Sequence, residues 1–167
     1  MASVFSGHIS EAKMPIKLAV IGIGNTLRRD DGIGIIILES LLRFYKREGI
    51  DYLNFGSASF DLIHRLQDYD VALVIDGINA GLDVGEVKIS ELKDIEYKID
   101  NSIISTHELN LKNVFELSKK LGLKTKIYVV GIQVKDTSFG ESVSEPLKNK
   151  VDEIVKSVSL FINKSLL

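Results

Sequence analysis

Apolar positions follow two rhythms along this chain, and their alternation sets the expected fold class. Lys17 to Ile21 (KLAVI) is a short apolar run that breaks into Gly22-Ile23-Gly24-Asn25, the pattern of a buried strand feeding a tight turn. From Gly32 to Glu48, the residues Ile33, Ile36, Ile37, Leu41, Leu42 and Tyr45 recur at three- and four-residue steps behind Asp30 and Asp31, which predicts a first helix. Asp51 to Phe55 reads as a second strand and Phe60 to Leu66 as a short helix. Val71 to Ile75 (VALVI) reads as a fully buried third strand ending at Asp76. Glu86 to Ile89 alternates as an edge strand does, and Glu91 to Ser105 is polar enough for an irregular crossing. A helix from His107 to about Leu121 follows, then a strand from Lys126 to Gln133 and a loop closed by Gly140. The last helix is expected from Ser144 to Phe161, with Leu147, Val151, Ile154, Val155 and Val158 on one face. Strands and helices alternating in this way predict an α/β fold: a three-layer α/β/α sandwich around a mostly parallel, roughly five-stranded twisted sheet.

Composition narrows the picture without changing it. A length of 167 residues predicts one domain, expected over residues 15–167, with residues 1–14 as a flexible tail rather than a signal peptide. Cys 0 removes disulfides, thiolate ligands and a cysteine nucleophile, and it agrees with a reducing, cytoplasmic setting. Lys+Arg 21 against Asp+Glu 23 gives a net charge of -2 with no basic patch, which argues against nucleic acid as a partner. No stretch approaches the roughly 20 apolar residues of a membrane span, so no membrane association is expected. Balanced charge also suggests a monomer.

Parallel sheets bind ligands beyond the carboxyl ends of their strands, where the strand order reverses. That rule selects Asp30 and Asp31 in the loop after strand one, Asp76 at the end of strand three, and His107 at a helix start. Two carboxylates and one imidazole on separate loops form an oxygen-and-nitrogen set suited to a divalent ion such as nickel or zinc, with positions left for substrate or water. Each residue also has a plainer reading. Asp30 or Asp31 can serve as a helix cap, His107 as a surface residue behind a Ser105 or Thr106 cap, and His64 and His8 as solvated side chains. Asp76 is harder to dismiss, because an unpaired carboxylate at the end of a buried strand is costly.

Two other motif readings compete. Gly22-Ile23-Gly24 opens like a dinucleotide fingerprint, but Leu27 fills the third glycine position and no acidic residue closes the second strand, so no nucleotide cofactor is expected. A phosphoacceptor receiver domain would cast Asp30, Asp31, Asp76, Thr106 and Lys135 in its roles. Its acidic pair would stand directly at the strand end, whereas here the pair follows a longer loop.

Several ordered motifs together are more specific. Gly22-Ile23-Gly24-Asn25-Thr26-Leu27, Asp30-Asp31-Gly32-Ile33-Gly34, Gly56-Ser57-Ala58, Asp76-Gly77-Ile78-Asn79-Ala80-Gly81 with Gly85-Glu86-Val87, Ser105-Thr106-His107-Glu108-Leu109 and Gly131-Ile132-Gln133 span nearly the whole chain. This series resembles the nickel-iron hydrogenase maturation endopeptidases. The resemblance implies that Asp31, Asp76 and His107 form a metal site. It also implies that the chain cuts a C-terminal extension from the precursor of a hydrogenase large subunit after nickel insertion, with nickel supplied by the substrate. A non-catalytic chaperone that binds the same precursor is the alternative. The chain departs from the family pattern in having Asn54-Phe55-Gly56-Ser57-Ala58-Ser59 where members more often carry Asp-Gly-Gly-Thr and a second glycine, and Asp31 where they often carry Glu.

Overall fold

The computed structural model describes residues 15–57, 61–95, 104–105 and 111–167. In chain order its elements are β1 (Leu18–Gly22), α1 (Ile33–Phe44), β2 (Ile50–Asn54), α2 (Asp61–Leu66), β3 (Val71–Asn79), β4 (Val87–Glu91), α3 (Leu92–Ile95), β5 (Ile104–Ser105), α4 (Leu111–Lys120), β6 (Lys126–Gln133), α5 (Glu145–Lys148) and α6 (Val151–Phe161). A 3-10 turn, Arg29–Gly32, leads into α1, and a π-helical turn, Ile162–Leu166, follows α6. The sheet order is β2-β1-β3-β6-β4, with β5 joined to β3. Strands β2, β1, β3 and β6 are parallel, whereas β4 and β5 run antiparallel to β6 and β3. The mostly parallel α/β architecture is the one that the sequence alternation predicts, including the edge strand near Glu86 to Ile89.

Strand periodicity explains the layers. Successive strand side chains point to opposite faces, so each buried strand feeds two cores. Leu18 and Val20 of β1, Leu73 and Ile75 of β3, and Val130 and Ile132 of β6 pack with Ile33, Ile37, Leu38 and Leu41 of α1 and with Ile154, Val155 and Val158 of α6. The alternate residues, Ala19 and Ile21, Ala72 and Val74, Ile127 and Val129, pack on the other face with Leu62, Ile63 and Leu66 of α2 and Leu92 and Ile95 of α3. Helix α1 lies close to the sheet because position 34 is glycine: a Cβ there would strike the carbonyl oxygens of both Ile23 and Ile75. The start of α1 is thereby pressed against the carboxyl ends of β1 and β3.

Three expectations need correction. Strand β3 does not end at Ile75 but continues through Asp76 to Asn79, because β6 pairs with it from Val71↔Lys126 to Ile78↔Gln133. The last helix is divided: Lys150 N–H donates to Leu147 O at 2.9 Å, an i to i−3 bond that tightens the chain between α5 and α6 before Ile154 N–H resumes the helical ladder on Lys150 O. The predicted irregular crossing holds two elements, α3 and β5. Residues 1–14, 58–60, 96–103 and 106–110 lie outside the described residues, and with them the expected tail, His8, Thr106 and His107.

Candidate active site at the strand-order reversal

From β1 the chain moves outward to β2 and then crosses to β3 on β1's other side, so the strand order reverses between β1 and β3. The crevice beyond their carboxyl ends is the expected ligand site of such a sheet. Pairing between β1 and β3 ends at Gly22↔Ile75, and the antiparallel pairing of β5 begins at Ile78↔Ser105. Asp76 and Gly77 therefore stand at the junction of two strands of opposite direction. By alternation Asp76 shares the face of Ala72 and Val74, and it is 1% exposed.

Asp31 reaches this junction from the turn after β1. Ile23 N–H donates to Ile75 O at 2.9 Å, carrying the outgoing chain across the end of β3. Gly24 adopts φ +153 and packs where a Cβ would strike Asp31 O. The 3-10 turn then settles against β3, with Asp30 O 3.6 Å from the position a Gly77 Cβ would take. Asp31 N–H donates to Arg28 O at 3.0 Å, and Asp31 is 2% exposed. Neither aspartate is the helix cap that its position suggests, since α1 is capped by Gly32 with no side-chain hydrogen bond. Arg29, between Arg28 and Asp30, has φ 45, a left-handed conformation costing roughly 1–2 kcal/mol in a non-glycine residue. Such strain persists only where surrounding bonds hold it.

Those bonds come largely from Asp30. It is fully buried, and its carboxylate accepts from Lys135 N at 2.9 Å, Asp136 N at 3.0 Å, Ser144 N at 2.6 Å and Ser144 Oγ at 2.9 Å. Its own N–H donates to Asp136 O at 3.0 Å. One carboxylate thus ties the β1–α1 turn to the loop after β6 and to the residue that starts α5. The adjacent aspartates differ: Asp30 is committed to this clamp, and Asp31 is buried one position on, in the turn that leads into α1. This difference also removes the receiver-like reading, which needs both carboxylates on one ion. Lys135, cast there as the active lysine, contributes its backbone N–H to the clamp while its side chain is exposed.

Further bonds stiffen the crevice walls. Gln133, buried at the end of β6, accepts on Oε1 from Ala80 N at 2.8 Å and Leu82 N at 3.2 Å, and donates from Nε2 to Val134 O at 2.8 Å and Asn79 Oδ1 at 3.3 Å. It braces the chain that leaves β3 just beyond Asp76. In the loop after β2, Asn54 Oδ1 accepts from Gly56 N at 2.9 Å, while Gly56 O accepts from Gly24 N at 2.7 Å. The segment that departs from the family pattern is therefore docked on the β1–α1 loop. Asp136 is held by Ser138, whose hydroxyl and N–H both donate to its Oδ1 and lower its carboxyl below the usual aspartate range, with Arg29 adding to the effect. A depressed carboxyl pKa stabilises the loop above the unfolded pKa and is lost as pH falls through the lower folded value, so this anchor persists through neutral pH.

Asp31 and Asp76 are brought to one edge, as expected. His107 lies outside the described residues, and among the described residues no group of three or more His, Asp or Glu is arranged to hold a metal ion. His64 is exposed on α2, 3.5 Å from Gln67 Nε2, and belongs to no site. The roles of Asp30 and Gln133 were not evident from sequence. A polar residue at the end of an otherwise apolar run is the signal that could have found Gln133.

An open α/β sheet with two buried acids at its strand-order reversal, and glycines pressing a helix onto that point, defines a class of site-bearing domain. Comparison with known proteins identifies the member of the class. A family model described as hydrogenase maturation protease matches residues 35–159. A relative in Methanocaldococcus jannaschii assigned to the hydrogenase maturation proteases is 32% identical over 152 residues, covering 85% of this chain and 86% of that one. The hydrogenase maturation protease HycI of Thermococcus kodakarensis has the same fold, with a TM-score of 0.71 at 24% identity over 91% of this chain and 96% of the other. The Escherichia coli endopeptidase HybD superposes with a TM-score of 0.76 at 21% identity, over 90% and 94% of the two chains. The chain belongs to the hydrogenase maturation protease family, and it is a peptidase.

Proposed function

We propose that this peptidase removes the C-terminal extension from the precursor of a [NiFe]-hydrogenase large subunit after nickel insertion, and that it recognises nickel already held by the precursor. The observation that carries this reading is the convergence of Asp31 and Asp76, both buried, at the junction of β1, β3 and β5. Carboxylate oxygens are suitable ligands for nickel, and two of them on separate loops leave coordination positions for the substrate. We assign the third ligand to His107. It follows Ser105 by two positions, so covalent reach keeps it within about 7 Å of a residue paired to Ile78, itself two positions beyond Asp76.

Three protein ligands without a thiolate make a weak site by themselves, and ligands from the precursor complete it. Recognition then waits for metal insertion, because an empty precursor offers no ion to bind. Hydrolysis adds a water oxygen to the scissile carbonyl carbon, breaks the carbon–nitrogen bond and leaves the proton on the departing amine. The protein's part is to hold the scissile peptide beside the ion in a reacting geometry. The reading includes a cytoplasmic monomer whose macromolecular partner is the precursor. Incubating the protein with nickel-loaded precursor and weighing the large subunit by mass spectrometry tests the function. A product shortened at its C-terminus is expected, and stable binding without any mass change would instead indicate a chaperone.

A further inference from the structure

Two exposed apolar side chains stand on the loops that frame the crevice. Phe139, in the loop after β6, is 82% exposed, and Leu27, in the β1–α1 loop, is 60% exposed. The other large exposed apolar residues among those described (Ile16, Leu42, Phe44, Tyr45, Leu121, Leu160 and Leu167) lie before β1, at the end of α1, after α4 or in the C-terminal helices, away from these two loops.

The loops are joined to each other by backbone. Gly140 N–H donates to Leu27 O at 2.9 Å, and Arg29 N–H donates to Gly140 O at 2.8 Å, forming a short parallel bridge between Arg28 and Gly140. Gly140 has φ +155, and a Cβ there would come within 2.8 Å of Arg29 Nε, so the close approach depends on glycine. The guanidinium of Arg28 lies 5.5 Å from the centre of the Phe139 ring, while its Nε donates to Thr137 O at 3.1 Å. Arg29 pairs with Asp136 at 3.3 Å. Leu27, Arg28 and Phe139 are thus presented on a cross-braced surface, an arrangement that lowers the ordering cost of binding.

This surface is continuous with the crevice, since Arg28 O is the acceptor of the Asp31 N–H. A polypeptide whose scissile bond lies beside Asp31 is thereby brought to the turn that carries Leu27 and Arg28 and is bonded to Gly140. We propose that Leu27, Arg28 and Phe139 form the docking platform for the precursor chain flanking the scissile bond, seating an apolar side chain of the precursor between Leu27 and the Phe139 ring. The proposal rests on the function assigned above, and it adds a determinant of substrate affinity outside the proposed ligand set.

The test compares initial rates over a range of concentrations of nickel-loaded large-subunit precursor for the wild type, Leu27→Ser, Phe139→Ser, Phe139→Leu and, as a control on α6, Leu160→Ser. Burying one large apolar side chain corresponds to about tenfold or more in affinity, so Leu27→Ser and Phe139→Ser should each raise KM by about tenfold, with kcat within about twofold of wild type. Phe139→Leu should recover most of the loss, and Leu160→Ser should match wild type. Unchanged KM in both serine variants would overturn the platform, as would a fall in kcat alone. Light scattering that shows a wild-type dimer dissociated by Phe139→Ser would also overturn it, by assigning the surface to a second copy. A wild type that cuts no precursor would overturn the functional reading itself, an outcome distinguishable from failure of the platform alone.

Discussion

Asp76→Ala is expected to lower precursor processing by about a hundredfold or more while leaving the chain folded, with a single cooperative thermal transition. Asp31→Ala and His107→Ala should likewise stop processing. A residue that maintains the fold would lose both properties together. Asp76 and Asp31 are buried, so the reason for expecting an intact fold is not that they lie on the surface. It is that alanine is smaller than aspartate, so it adds no atom that the packing around either position must accommodate. Alanine also keeps the backbone pairing of Asp76 with Gly131 of β6. Calorimetry alongside the processing assay separates the two effects. Near-normal cleavage by Asp76→Ala or His107→Ala would contradict the site assignment.

Replacing the neighbouring acid should have a different signature. Asp30→Ala is expected to destabilise the fold by about 3–5 kcal/mol, since it leaves Lys135 N–H, Asp136 N–H, Ser144 N–H and the Ser144 hydroxyl without their shared acceptor. For a chain of this size that corresponds to a fall in melting temperature of roughly 10 °C. Ser144→Ala deletes only the hydroxyl donor and should cost about 1 kcal/mol, with Asp30→Asn between the two because its amide keeps one accepting oxygen. Thermal unfolding of the three variants checks this order. Equal, small losses in all of them would remove the clamp from the account.

The contrast between Asp30 and Asp31 marks where sequence reasoning stops. Local periodicity makes the layers legible: the expected strand Lys126 to Gln133 is β6, and Leu147, Val151, Ile154, Val155 and Val158 all pack into one core, although Leu147 stands on α5 and the others on α6. The fold rule about strand ends selects Asp30, Asp31, Asp76 and His107 because it concerns topology, which follows from strand and helix alternation. It cannot say which of two adjacent acids is taken up by a clamp, since the partners of Asp30 lie more than 100 residues away in the chain: the Ser144 contact spans 114 positions. The end of β3 was misread for a similar reason. Asp-Gly is a local stop signal, but β6 pairs past it, and long-range pairing overrides local preference. The two-residue β5 is too short to show a period at all.

In the proposed function the substrate's nickel, bound through Asp31, Asp76 and His107, licenses the cut. This role is tested most directly with one metal-stripped preparation of the enzyme, given nickel-loaded and nickel-free precursor under identical conditions and analysed by the mass of the large subunit. Shortening of the nickel-loaded precursor and an unchanged mass for the nickel-free one are expected. Equal cleavage of both would contradict that role.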